Sequence, residues 1–161
     1  MCRAIIVLLI LLSAPASCFS NTIEGIVTHV SDGDTIHVSI GKKILKVRLY
    51  GIDAPERKQR GGYEASMFVK DFILHEQVTL KIKDVDRYKR QVAIVTLPSG
   101  EELQDIILQA GHAWVYPRYC KDARCESWGT MEQHAKNEKR GLWKSKAVPP
   151  WIWRKTHGGS S

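Results

Sequence analysis

At 161 residues the chain is long enough for one ordinary domain and too short for two. Charged residues make up 25% and hydrophobic ones 43%, the balance of a globular body, and this excludes a disordered or low-complexity chain. The formal net charge of +7 suits a polyanionic partner, nucleic acid or an anionic membrane surface, and equally a basic solvated surface that binds nothing.

The chain opens on a targeting pattern. Residues 4–12 form an unbroken apolar run behind Arg3, and the small residues Ser13, Ala14, Ala16 and Ser17 follow. That order is a secretory signal peptide, and the run is too short to cross a bilayer. Residues 1–20 are read as the signal, with cleavage after Ala16, Cys18 or Ser20. A lipoprotein signal at Cys18 is the alternative, although Pro15 stands where such signals carry Leu. The mature body is therefore expected to be exported, periplasmic or secreted, with no membrane attachment after cleavage. It keeps Cys120 and Cys125, an even pair that reads as a disulfide in an oxidising compartment. Half a zinc site is the alternative, though no second Cys/His pair has matching spacing.

From residue 22 to 50 the pattern is strand-like. Ile36, Val38 and Ile40 alternate with polar neighbours, and Leu45, Val47 and Leu49 do so after the turn at Gly41-Lys42-Lys43. Residues 63–76 switch to helical spacing, with Ala65, Phe68, Val69, Phe72 and Ile73 on one stripe. Alternation returns over 77–83, and 92–97 is a β-branched run fitting a buried strand. Leu103, Ile106, Ile107 and Ala110 predict a second helix ended by Gly111. A third is predicted near 131–140, before Gly141. Residues 147–161 are Pro-rich, then aromatic, then Gly/Ser-ended, and are expected to be a loose tail on a domain spanning 21–146. This order predicts an α+β fold: a five-stranded antiparallel barrel of the OB type with three helices.

Chemistry concentrates in three clusters. Asp32-Gly33-Asp34-Thr35 opens a strand, and carboxylates in a tight Gly turn are hard oxygen donors for calcium or magnesium; an ordinary Asp/Gly turn is the plain alternative. Residues 47–56 read VRLYGIDAPE. Alternation puts Arg48 on the face opposite Val47 and Leu49, and the Gly51 and Pro55 bends leave Asp53 and Glu56 just past the strand end. Two carboxylates and an arginine suit phosphate chemistry, or else form a surface salt-bridge group. The run from Asp84 to Arg90 joins two predicted strands, with Arg90 at the root of the second. The six histidines show no triad or metal spacing. Trp114, Tyr116 and Tyr119 are aromatics for stacking bases or for the core.

Taken in order, DGDT, then RLYGIDAPE, then YEAS at a helix start, then DRYKR before a strand, the chain from about residue 22 to Trp143 resembles the staphylococcal-nuclease (thermonuclease) family. The resemblance implies a calcium-dependent nuclease cutting phosphodiester bonds in DNA and RNA, single-stranded or locally opened, and leaving 3′-phosphates, as a monomer. It implies Ca2+ held by Asp34, Asp53 and the backbone carbonyl of Ala54, with Asp32 and Thr35 in support. It implies Glu56 as general base, and Arg48 and Arg90 as the arginines at the reacting phosphate. Tyr88 resembles a tyrosine touching the bound nucleotide, and Tyr116 or Tyr119 substitutes for another that falls at Pro117. Two further departures are a short loop over 57–63 and Lys89 where the prototype has Gly. The cysteine pair and the Pro149-Pro150-Trp151 run resemble exported bacterial relatives. A non-catalytic nucleic-acid-binding module on the same barrel is the alternative, and such modules lose the acidic and arginine set that this chain keeps.

Overall fold

A computed structural model describes residues 22–157. The expected signal and the end of the tail, residues 158–161, lie outside the described residues. The elements in order are β1 (Thr22–Asp32), β2 (Thr35–Ile40), β3 (Lys43–Leu49), β4 (Ile52–Asp53), α1 (Gly62–Ile73), β5 (Gln77–Val85), β6 (Gln91–Thr96), α2 (Leu103–Gln109), β7 (Trp114–Val115), α3 (Arg124–Asn137), a 3-10 turn (Gly141–Lys144) and α4 (Pro150–Thr156).

Five strands close a barrel in the order β1-β2-β3-β6-β5, as an OB-type α+β fold requires. The strand β1 serves two neighbours, pairing through its first half with β5 and through its second half with β2. Register shifts at Val27/His29 and Val30/Asp32 bend it between them. Alternate residues line the interior: Val27, Ile36, Val38, Val47, Leu49, Val78, Leu80, Ala93 and Val95 are all buried. Each Val, Ile or Leu among them contributes roughly 1.5–3 kcal/mol relative to exposure. One seam departs from the expected antiparallel pattern. Strand β3 runs parallel to β6, with Arg48 opposite Val92.

Helix α1 buries Ala65, Val69 and Ile73, while Phe72, assigned to the same stripe, lies at its edge and is exposed. Helix α2 is fixed to β6 by the buried Gln104, whose amide donates to the Ala93 carbonyl at 3.0 Å and accepts from the Val95 N–H at 3.2 Å. Helix α3 begins earlier than its expected start near 131. Its inward stripe is Trp128, Glu132 and Ala135, and a buried glutamate conceals the periodicity. Glu132 accepts the Val115 N–H at 2.9 Å and pairs with Lys136 at 2.5 Å, so its burial is satisfied.

The tail corrects an expectation. Far from being loose, residues 150–156 form a fourth helix, with Pro150 at its first position, where a missing N–H leaves no hydrogen bond unmade. The disulfide reading of Cys120 and Cys125 agrees with the structure, where the two are bonded with Cα atoms 5.7 Å apart.

Candidate active site

The site is built on the outer wall of the barrel where β1, β2 and β3 meet. The β1–β2 turn carries Asp34, and Thr35 lies directly across from Arg48. Gly33 lets this turn touch the segment after β4: a Cβ there would come within 2.7 Å of the Ala54 Cβ and 2.9 Å of the Ala65 Cβ. That approach brings the Ala54 N–H onto Asp34 Oδ2 at 2.6 Å. Gly62 does the same for Glu56, because a Cβ there would fall 1.9 Å from the Glu56 carbonyl oxygen.

Arg48 then ties the two acidic segments together. Its Nη1 pairs with Asp34 Oδ1 and its Nη2 with Asp53 Oδ1 at 2.7 Å. The Thr35 hydroxyl also donates to Asp34 Oδ1, at 3.1 Å, and Asp32 accepts the Asp34 N–H at 3.1 Å. A residue absent from the sequence reading completes the group. Arg154 on α4 donates from Nη2 to Asp53 Oδ2 at 2.7 Å, and from Nη1 to Glu56 Oε1 at 2.8 Å and Asp53 Oδ1 at 3.3 Å. Nothing in the local sequence marks it, since an arginine between aromatics in a Pro/Gly/Ser-ended tail reads as a solvated charge.

Burial and like charge shape the electrostatics. Burial, then the neighbouring Asp34 carboxylate, push Asp32 up to about 7. Burial also raises Asp53, and the Arg48 and Arg154 cations oppose that rise. For Arg48 burial disfavours the charge, but Asp34 and then Asp53 outweigh it and hold the guanidinium protonated. Two buried aspartates are thus stabilised by paired cations.

The donor set consists of oxygens: the carboxylates of Asp34, Asp53 and Glu56 and the backbone carbonyl of Ala54. Such donors fit a hard cation such as calcium or magnesium and not zinc. Among the described residues no three His, Cys, Asp or Glu side chains converge on one point as a metal cage. Asp34 and Asp53 are instead bridged by Arg48.

The other expected residues are placed differently. Arg90 immediately precedes β6, two positions before Val92, the residue paired with Arg48. Its side chain is held by Asp86, Nε to Oδ2 at 2.6 Å, and lies 5.3 Å from the centre of the Tyr88 ring, so it makes no direct contact with the carboxylates. Asp86 is desolvated, yet hydrogen bonds from the Arg90 amide and side chain keep its carboxyl low. Tyr88 is exposed and its hydroxyl bonds Arg87 at 2.6 Å. Tyr116 meets the edge of Tyr119 at 4.9 Å and stacks flat on Trp151 of α4, with centroids 5.1 Å apart and planes 4° from parallel. A separate cleft of about 310 Å³, lined by Thr28, His29, Tyr63, Met67 and Leu74 among others, includes none of the site carboxylates.

A closed five-stranded barrel bearing an oxygen-only acidic group laced to an arginine fork has the equipment to handle a phosphate ester. Residues 46–145 match the family described as staphylococcal nuclease homologue. The chain is 38% identical over 147 residues to an "Uncharacterized endonuclease" of Escherichia coli O157:H7, covering 91% of this chain and 93% of that protein. It is 34% identical over 141 residues to the "Micrococcal nuclease" of Shigella flexneri, covering 82% and 80%. It is also 31% identical over 150 residues to an "Uncharacterized endonuclease" of Haemophilus influenzae, covering 92% and 82%. The chain belongs to the staphylococcal nuclease family, and that membership supports hydrolysis of nucleic acid.

Proposed function

We propose that this chain is an exported, calcium-dependent nuclease, monomeric, hydrolysing phosphodiester bonds in DNA and RNA and leaving 3′-phosphates. One observation carries the reading: Asp34, Arg48, Asp53 and Glu56 are drawn, with Arg154 of α4, into a single hydrogen-bonded group on the outer wall of the barrel. The family resemblance and the signal-like residues 1–20 support the remaining particulars.

Phosphodiester hydrolysis must bring water to a phosphorus shielded by negative oxygens. Asp34, Asp53 and the Ala54 carbonyl would hold the calcium ion, and the chemistry it would supply there is neutralisation of the phosphate charge. Asp32 and Thr35 hold Asp34 in place for this. Glu56 accepts the proton of the attacking water. The Arg48 fork binds the charge that grows on the phosphate oxygens, and Arg90, just ahead of β6, does the same once it leaves Asp86. The 5′-oxygen leaves. Tyr88, Tyr116 and Tyr119 grip the nucleotides on either side, which requires unpaired bases.

The test is a digestion. Plasmid DNA and a structured RNA are incubated with the mature chain in calcium and again in excess chelator. Cleavage of both in calcium alone is expected. Tight nucleic-acid binding without cleavage in calcium would replace this reading with that of a non-catalytic binding module.

A further inference from the structure

We propose that α4 is a latch over the acidic site, with the Arg154 guanidinium holding the position a cation needs and the Trp151 ring that of a base, so that calcium binds only as the latch releases. The inference rests on the calcium reading above and concerns regulation of that same site.

Every contact of α4 with the site falls on a group the reaction uses. Arg154 engages both Asp53 oxygens and Glu56 Oε1. Trp151 lies flat on Tyr116, the aromatic face expected to receive a nucleotide. The approach to the helix is fixed by Gln59, whose amide donates to the Val148 carbonyl at 2.5 Å. A hard cation takes carboxylate oxygens at about 2.3–2.6 Å. It cannot share Asp53 Oδ2 with a guanidinium nitrogen already at 2.7 Å, since the two positive charges would be in contact. Arg48 reaches Asp53 through Oδ1 and leaves Oδ2 to Arg154.

The helix is also lightly held. It has seven residues, too few to persist without tertiary support. Only Pro150 in it is buried; Trp151, Trp153 and Arg154 are half-buried and Ile152 is exposed. Such a segment can leave without disturbing the barrel core. A latch closed nine-tenths of the time raises the apparent Kd of the site about tenfold.

The experiment is calorimetric titration of calcium into the mature chain, alongside Arg154→Ala and Trp151→Ala, with circular dichroism confirming the fold of each. Hydrogen exchange at the amides of Ile152, Trp153 and His157, which are bonded to Pro149 and Trp153 carbonyls, is followed on the unaltered chain with and without calcium. Arg154→Ala should lower the Kd about tenfold or more, and Trp151→Ala, which removes no charge, by about threefold or more. Calcium should speed exchange in α4. Tighter binding by Arg154→Ala with Trp151→Ala unchanged would mean simple charge removal and would overturn the latch. So would slower or unchanged exchange in α4. If the parent binds calcium and cleaves while neither variant binds more tightly, only the latch falls. If neither parent nor variants bind calcium, the nuclease reading falls and the latch with it.

Discussion

Gly33→Ala tests whether one missing side chain couples the two acidic motifs. The added Cβ would sit 2.7 Å from the Ala54 Cβ and 2.9 Å from the Ala65 Cβ, against a comfortable carbon–carbon separation of about 3.5–4.0 Å. Neither neighbour can rotate away, since both are buried alanines. The φ of Gly33 is not positive, so the added methyl meets no backbone penalty that would confuse the result. The turn must therefore move off the segment after β4 by about 1 Å to restore contact distance. That displacement stretches the 2.6 Å bond from the Ala54 N–H to Asp34 Oδ2 beyond hydrogen-bonding range. Overpacking costs about 1–3 kcal/mol and a lost charge-assisted bond about 1.5–3 kcal/mol. Because opening relieves the first at the expense of the second, the two do not add, and the stiffer unfolded chain returns about 0.4–1 kcal/mol. A net loss of about 2 kcal/mol is expected, with kcat down on the order of 10² from the misplaced Asp34. Urea unfolding and cleavage of a labelled oligonucleotide measure the two. Stability within about 0.5 kcal/mol of the parent, with cleavage intact, would refute the coupling.

Other outcomes follow from the same geometry. Glu56→Gln should cut kcat by roughly 10²–10⁴ with little change in nucleotide-inhibitor affinity, and Arg48→Lys should lose kcat because an ammonium cannot reproduce the fork; cleavage within about threefold of the parent by Glu56→Gln, short of that range, removes Glu56 from the chemistry. The Cys120→Ala/Cys125→Ala double variant should unfold about 2 kcal/mol more easily while cleaving normally well below its Tm, as the bridge closes a short loop; inactivity with an intact fold would contradict a structural role. His112 packs on Phe68 at 4.5 Å, and burial lowers its pKa below the usual 6.5. The unfolded chain then binds more protons than the folded one. The stability His112 lends is complete above pH 6.5 and lost as pH falls through the lower folded value. His112→Phe should flatten the stability profile as pH falls below the usual 6.5, and an unchanged slope in denaturant titrations would exclude this group.

The barrel was legible because its strands obey period two and bury one face, so Ile36, Val38, Val47 and Leu49 announced themselves. The acidic motifs were legible for another reason: their residues lie close together in the sequence, and two short signatures carry them. Helix α3 was expected near 131–140, but its first turns from Arg124 were hidden, because Trp128 is their one buried residue and the next inward position is a glutamate, Glu132, held by the Val115 N–H and Lys136. Arg154 was hidden for a similar reason. Its role depends on the docking of α4, settled by a stack on Tyr116 and a bond from Gln59 that local pattern cannot encode. Lys89 is a subtler case. The sequence showed a lysine where the prototype of the family has glycine, and the backbone there keeps φ 61, in the left-handed region glycine favours. The turn is retained by the Lys89 N–H bond to the Asp86 carbonyl at 2.9 Å, together with Asp86 bonds to Tyr88 and Arg90.

Apart from α4, Arg90 and the three tyrosines, the working groups belong to one unbroken stretch, from Asp32 to Glu56, wrapped around a core to which they contribute little. Arg48 and Glu56 face away from the barrel interior, and the two buried aspartates bring like charges together on its wall. The apolar interior and the reactive groups are therefore different atoms of the same strands. A chassis divided in this way can shed its chemistry through a few substitutions on the wall while the interior stays packed. The same division allows new reactivity to be installed on that wall without redesigning the interior beneath it.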